Sequence, residues 1–133
     1  MRLKNLTDNV ILALPDDLLW SDEFAWPPTV STVTYLLEGA LLVETSIRQA
    51  GRPLTLTGQV DMAWVNRGTL KTLYAWASLA TGSFELTLTD GRVFTVVFRL
   101  HETAIDADPV LGFPARHDTD FYRITLRFME ISL

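Results

Sequence analysis

The chain has no cysteine. That excludes disulfides, thiolate metal sites and a cysteine nucleophile. It also fits a protein made in a reducing cytoplasm. Histidine is scarce, with only His101 and His117. His101 adjoins Glu102 at a predicted strand end, where successive side chains diverge. A hydrolytic triad needs a nucleophile, a base and an orienting acid that converge in space. The serines fall in neither Gly-x-Ser-x-Gly nor Ser-x-x-Lys. Neither Gly-x-Gly-x-x-Gly nor a Walker pattern cradles a phosphate. The expectation is a protein that is not an enzyme, with no catalytic residues and no cofactor.

No apolar run approaches the roughly 20 residues that span a bilayer. The start, Met1-Arg2-Leu3-Lys4-Asn5-Leu6, is basic, but Thr7-Asp8-Asn9 interrupts before any sustained apolar stretch. The sequence therefore predicts no signal peptide and no membrane partner. A basic excess is also missing, because 11 Lys and Arg face 16 Asp and Glu for a net charge of −5. That balance argues against nucleic acid as the main partner. Arg48, Arg52, Arg67 and Lys71 also lack the interleaved aromatics of a single-strand groove. Asp106, Asp108, Asp118 and Asp120, with His117, offer oxygens to a hard cation. The Gly and closing Glu of an EF-hand loop are absent, so a solvated acidic loop and no metal is the preferred reading.

What is present is ordinary globular material. With 48% apolar and 20% charged residues the chain can bury a core, and its 133 residues fit one domain, 1–133. The charge is uneven. Residues 1–46 hold seven acids and two bases, residues 47–100 six bases and three acids, and residues 101–133 three bases and six acids. An acidic front beside a basic middle can match between copies of one chain, or it can simply be solvated.

The most distinctive segment runs from Leu14 to Pro28. It holds Trp20, Phe24 and Trp26, four carboxylates and three prolines. Proline withholds a backbone donor and biases the preceding residue towards extended geometry. The segment reads as an extended arm at about 14–28, with apolar side chains that need a surface on this chain or on a neighbour.

Around the arm the pattern is mostly strand. Residues 9–14 form a short apolar run and predict a buried strand. Residues 29–48 predict two strands around Glu38-Gly39, with apolar or β-branched groups on both parities, as when both faces are covered. Leu54 and Leu56 alternate inward. One helix is expected near 67–80, with Leu70, Leu73, Tyr74 and Ala77 in one stripe, Thr69 or Asn66 as cap and Gly82 beyond the end. Trp64 and Trp76 beside it read as core or rim packing. Phe84, Leu86 and Leu88 alternate before Asp90-Gly91, and residues 92–99 return, which predicts a two-residue type I′ hairpin. Residues 101–120 read as loop. Tyr122, Ile124, Leu126 and Phe128 share one face of a long final strand. The sum is a mainly β fold, an antiparallel β-sandwich or barrel with one packed α-helix.

Four pieces then carry a resemblance: the arm from Leu14 to Trp26, Gly39-Ala40-Leu41-Leu42-Val43-Glu44, residues 48–56 from Arg48 to Leu56, and Leu88-Thr89-Asp90-Gly91-Arg92. Together the chain resembles small tail proteins of long-tailed bacteriophages, and is similar to the N-terminal domain of distal tail proteins. The resemblance implies a structural role: a ring of copies, sixfold or threefold, between tail tube and tip or baseplate hub proteins. It implies a virion tail component assembled in the host cytoplasm. The galectin-like second domain that the family often carries has no room here. On this reading Trp20, Phe24 and Trp26 are interface anchors, and the acidic front meets the basic middle of the next copy at Arg48 and Arg52. The alternative is a small β-sandwich module that binds carbohydrate or peptide through an exposed Trp64 or Trp76.

Overall fold

The computed structural model describes residues 1–48, 50–59, 62–79, 82–110 and 117–131. Gln49, Gly112 and Pro114, placed in breaks and loop by their sequence, lie outside the described residues. The elements are β1 (Arg2–Asn5), β2 (Ile11–Ala13), β3 (Leu19–Trp20), β4 (Thr29–Tyr35), β5 (Leu41–Ile47), β6 (Pro53–Thr57), β7 (Trp64–Asn66), α1 (Arg67–Ala77), β8 (Phe84–Thr87), β9 (Val93–Phe98), β10 (Ile105–Pro109) and β11 (Phe121–Glu130). The fold is mainly β with one helix, and every strand pairing is antiparallel.

Nine strands form one sheet, in the order β2-β1-β8-β9-β11-β6-β3, with β10 and β7 also paired to β11. Its edge strands β2 and β3 are not bonded to each other, so the barrel is not closed. β11 is the spine. Its first half lies between β7 and β10, and its second half between β6 and β9. Strict alternation explains this placement. Tyr122, Ile124, Leu126 and Phe128 are buried, while Arg123, Thr125 and Arg127 stay half-exposed. Leu54 and Leu56 of β6 are fully buried on the same side, as their alternation predicts. An aromatic relay runs through the core. Trp76 stacks on Phe84 at 5.6 Å, Phe84 meets Phe98 edge-on at 5.2 Å, and Phe98 meets Phe128 at 4.8 Å.

The helix begins where the sequence allows. Asn66 is its N-cap, and its side-chain oxygen accepts the Thr69 N–H at 2.8 Å. The buried stripe differs from the predicted one. Leu73 and Trp76 face the core, and Tyr74 faces out. Turning the helix towards Trp76 buries the larger apolar surface and stacks it on Phe84, which favours that rotation.

Four other expectations are corrected. Residues 9–14 form an edge strand rather than a buried one. β2 pairs only with β1 and leaves Ile11 exposed, although Leu14 is buried. The β8–β9 turn is not a two-residue type I′ turn. The Gly91 N–H donates to the Leu88 carbonyl, the Leu88 N–H to the Arg92 carbonyl, and only Gly91, at φ +92°, is left-handed. That is a three-residue loop with a glycine bulge. The acidic stretch after residue 101 is partly strand, since β10 pairs with β11 over five residues. Asp108 bonds its directly opposed Arg123 at 3.2 Å, and Asp106 bonds the diagonal Arg127. Cross-strand ion pairs offset the low β preference of Asp. Finally, residues 29–48 form two strands as expected, but neither face of the hairpin is covered.

Candidate interaction surface

The first half of the aromatic arm is zipped onto its own domain. β3 pairs with β6, and the Ser21 N–H donates to the Thr55 carbonyl at 3.0 Å. Asp22 accepts from Thr55 twice, at 2.9 Å from its N–H and 2.8 Å from its hydroxyl. Asp22 is thus the clip that ends the strand and starts a turn, closed by the Ala25 N–H to the Asp22 carbonyl.

Each interface residue expected from the sequence has a definite place. Trp20 is half-buried between cations and an aromatic edge. The Arg52 guanidinium lies 4.7 Å and the Arg92 guanidinium 5.3 Å from its ring centre, with Phe94 edge-on at 5.4 Å. Arg52 also donates to the Glu23 carbonyl at 3.0 Å, and Arg92 reaches the Glu23 carboxylate at 2.7 Å. Arg92 is further held by Asp90, whose carboxyl lies below its ordinary pKa chiefly because it accepts the Arg92 backbone N–H. Arg48 covers the Trp26 ring at 4.9 Å and donates to the Pro27 carbonyl. Phe24 alone stands out, 90% exposed. Glu23, Phe24, Trp26, Arg48 and Arg52 together border one surface cavity of about 410 Å³.

The arm and the basic middle therefore meet within one chain. Trp20 is an intramolecular anchor stacked with guanidinium groups, whereas Phe24 is presented outward. Within the arm, only Phe24 combines a large apolar side chain with near-complete exposure.

The larger exposed apolar surface lies in the β4–β5 hairpin, which forms a sheet of its own. From residue 29 to residue 47 every position except Val30 is exposed. Opposed residues share a face, so the register sorts the side chains. Val33 faces Val43 and Tyr35 faces Leu41 on one side, with Ser31 opposite Thr45 and Thr29 opposite Ile47 towards the hairpin base. Thr32 faces Glu44, Val30 faces Ser46 and Thr34 faces Leu42 on the other. The hairpin is thus amphipathic, with its apolar face open. Its turn places the Leu36 N–H on the Ala40 carbonyl at 2.7 Å and the Gly39 N–H on the Leu36 carbonyl at 2.9 Å. Gly39 sits at φ +88°, where a Cβ would be strained. Leu37 stands fully exposed at the tip. The hairpin base is fastened to the arm by the Arg48 N–H to the Pro28 carbonyl at 2.6 Å.

The sequence reading places its interface anchors in the arm and not on this surface. Its signal was available: apolar residues on alternating positions of both strands, registered by Glu38-Gly39. Trp64 and Phe121 make a further exposed aromatic pair, 6.0 Å between ring centres. Trp76 is core. The acidic residues are engaged with local partners: Asp106 with Arg127, Asp108 with Arg123, Asp118 with Lys71, and Asp120 with the His117 backbone N–H. Among the described residues no three His, Asp or Glu side chains gather as metal ligands, and no helix is long and apolar enough to cross a membrane.

The architecture defines a class, a mainly antiparallel β protein with one helix and a separate amphipathic hairpin. Comparison of the chain with known protein families, with curated proteins and with solved structures found no match.

Proposed function

We propose that this protein is a structural subunit that assembles with copies of itself into a ring, as an adaptor of a bacteriophage tail between tail tube and tip or baseplate. The tail role rests on the sequence resemblance to distal tail proteins. The assembly role rests on one observation, the open apolar face of the β4–β5 hairpin formed by Val33, Tyr35, Leu41 and Val43. An isolated two-stranded hairpin is marginal in water, and a contiguous exposed apolar face marks an interaction surface. In a ring each copy uses two different patches, one giving and one receiving, and the rotation closes. The hairpin is the giving patch, with Phe24 an additional contact. Tube, tip and hub proteins are the further partners. This reading includes no catalysis, no cofactor and no place for nucleic acid or membrane.

Native mass measurement at tens of micromolar tests it. The expected result is a closed oligomer that falls to monomer when Val33 and Val43 are both replaced by Ser. A wild-type chain that stays monomeric overturns the assembly role. A second reading, a sugar- or peptide-binding module, is favoured only by the exposed Trp64–Phe121 pair. Glycan binding lost in Trp64→Ala would favour it over the ring.

A further inference from the structure

Between α1 and β10 runs a shallow groove. Two adjoining cavities of about 540 and 290 Å³ share Tyr74 and Ile105 and so make one trough. Leu70, Ala77, Ala107 and Leu100 extend its apolar lining. Its two ends differ in charge. Arg67 and Lys71 border one end, and Glu102 borders the other. Tyr74 is strongly exposed there, although it sits on a helix whose Leu73 and Trp76 are buried. Among the described residues β10 pairs only with β11, so the trough flanks a margin of the described sheet.

The hairpin tip is the counterpart of this trough. Leu37 is a fully exposed apolar knob, Leu36 and Tyr35 stand exposed beside it, and Glu38 follows at once. From residue 29 to residue 47 there are two acids and no base. At about 3.4 Å per residue, seven paired residues carry the tip roughly 24 Å from the hairpin base. A probe of that length, acidic at its end and apolar along one face, suits an apolar trough with a cationic end.

We infer that the trough between α1 and β10 receives the β4–β5 tip of a second copy, with Leu37 against Leu70, Tyr74 and Ile105, and Glu38 at the Arg67–Lys71 end. This rests on the self-assembly reading above and names the receiving patch that it requires. The contact is heterologous, since tip and trough are different surfaces, and so it propagates around a ring. The unlike ends of the trough set the direction. Glu38 joins the exposed Lys71–Asp118 pair, whose ammonium and carboxylate lie 2.8 Å apart, while the opposite end offers only Glu102, a carboxylate already bonded to Arg99 at 3.1 Å.

The absence of native cysteine makes the test clean. Leu37→Cys protein mixed with Leu70→Cys protein and oxidised should give an intermolecular disulfide between the two variants. Leu37→Cys mixed with Val93→Cys, an exposed site on β9, should not. In native mass measurements Leu37→Asp should weaken association by about a hundredfold, as expected for a central apolar anchor. Glu38→Lys and Lys71→Glu should each weaken it about tenfold, and the double variant should recover most of the loss. Leu37, Glu38, Lys71 and Val93 are exposed, and Leu70 is partly buried against the core, so circular dichroism checks that each variant folds. If the wild type is an oligomer, but Leu37→Asp and the charge swap leave it unchanged and no Leu37–Leu70 cross-link forms, the trough is not the receptor and assembly stands on another surface. If the wild type is a monomer and no cross-link forms at any concentration, both readings fall.

Discussion

The β8–β9 and β4–β5 hairpins are built alike up to their turns. In each the glycine N–H returns to the carbonyl three residues back, the flanking residues bond across, and one glycine near φ +90° closes the loop. Leu36, Gly39 and Ala40 in one do what Leu88, Gly91 and Arg92 do in the other. Their surroundings then diverge. β8–β9 lies inside the nine-stranded sheet, between β1 and β11, and buries Phe84, Leu86, Val96 and Phe98. Among the described residues β4–β5 has no third strand, and it leaves an apolar face in water. Turn chemistry and alternation therefore specify a hairpin, but they do not specify what covers it. Coverage comes from strands distant in sequence, and among the described residues β4–β5 has none.

Four substitutions probe that contrast. The largest effect is expected at the centre of the covered region. Phe128→Ala removes the ring that ends the aromatic relay, and should cost about 3–5 kcal/mol in denaturant unfolding. An unchanged midpoint would show that the relay is not the core. Next comes Gly58→Ala, where β6 passes β11. A Cβ there would fall well inside contact distance of the Ile124 carbonyl oxygen and close to Arg123 and Ala63. The backbone has to shift, at about 1–3 kcal/mol, read as a lower thermal midpoint. Asn66→Ala should cost about 1 kcal/mol through loss of the helix cap. Retention of full stability there would show the Thr69 N–H to be satisfied otherwise. The smallest effect on monomer stability is expected at Leu37→Ser in the uncovered hairpin, within about 0.5 kcal/mol. A loss as large as that of Phe128→Ala would mean that the hairpin packs on its own domain, and the contrast would collapse.

Most of the sheet was legible in the sequence, because β6, β8 and β11 alternate between buried and half-exposed positions and β9 returns directly from the Asp90-Gly91 turn. β10 was not, because Asp106 and Asp108 look like loop until Arg123 and Arg127 are seen opposite them. The rotation of α1 was not legible either. Two stripes competed there, and only the position of Phe84 decides for Trp76. At the arm, residue types identified Trp20, Phe24 and Trp26 as unusual. Their separate fates depend on Arg52 and Arg92, which reach Trp20 from the residues just before β6 and β9, and on Thr55, which holds Asp22. No local pattern encodes those meetings. The open face of β4–β5 lies between these cases: the residues announced a strand pair, but only the absence of a third strand leaves it uncovered.

The position of β11 has a consequence for how the molecule is made. It is the last of the eleven described strands in chain order, yet β6, β7, β9 and β10 all pair with it. Until residues 121–130 emerge, the nascent chain holds four strands with unsatisfied edges and no centre to join them. Local hairpins such as β8–β9 can form during synthesis, but the sheet closes only in a final, long-range step. Through that interval the uncovered β4–β5 hairpin is accompanied by other open edges. The nascent chain is therefore most prone to mispairing just before its spine arrives.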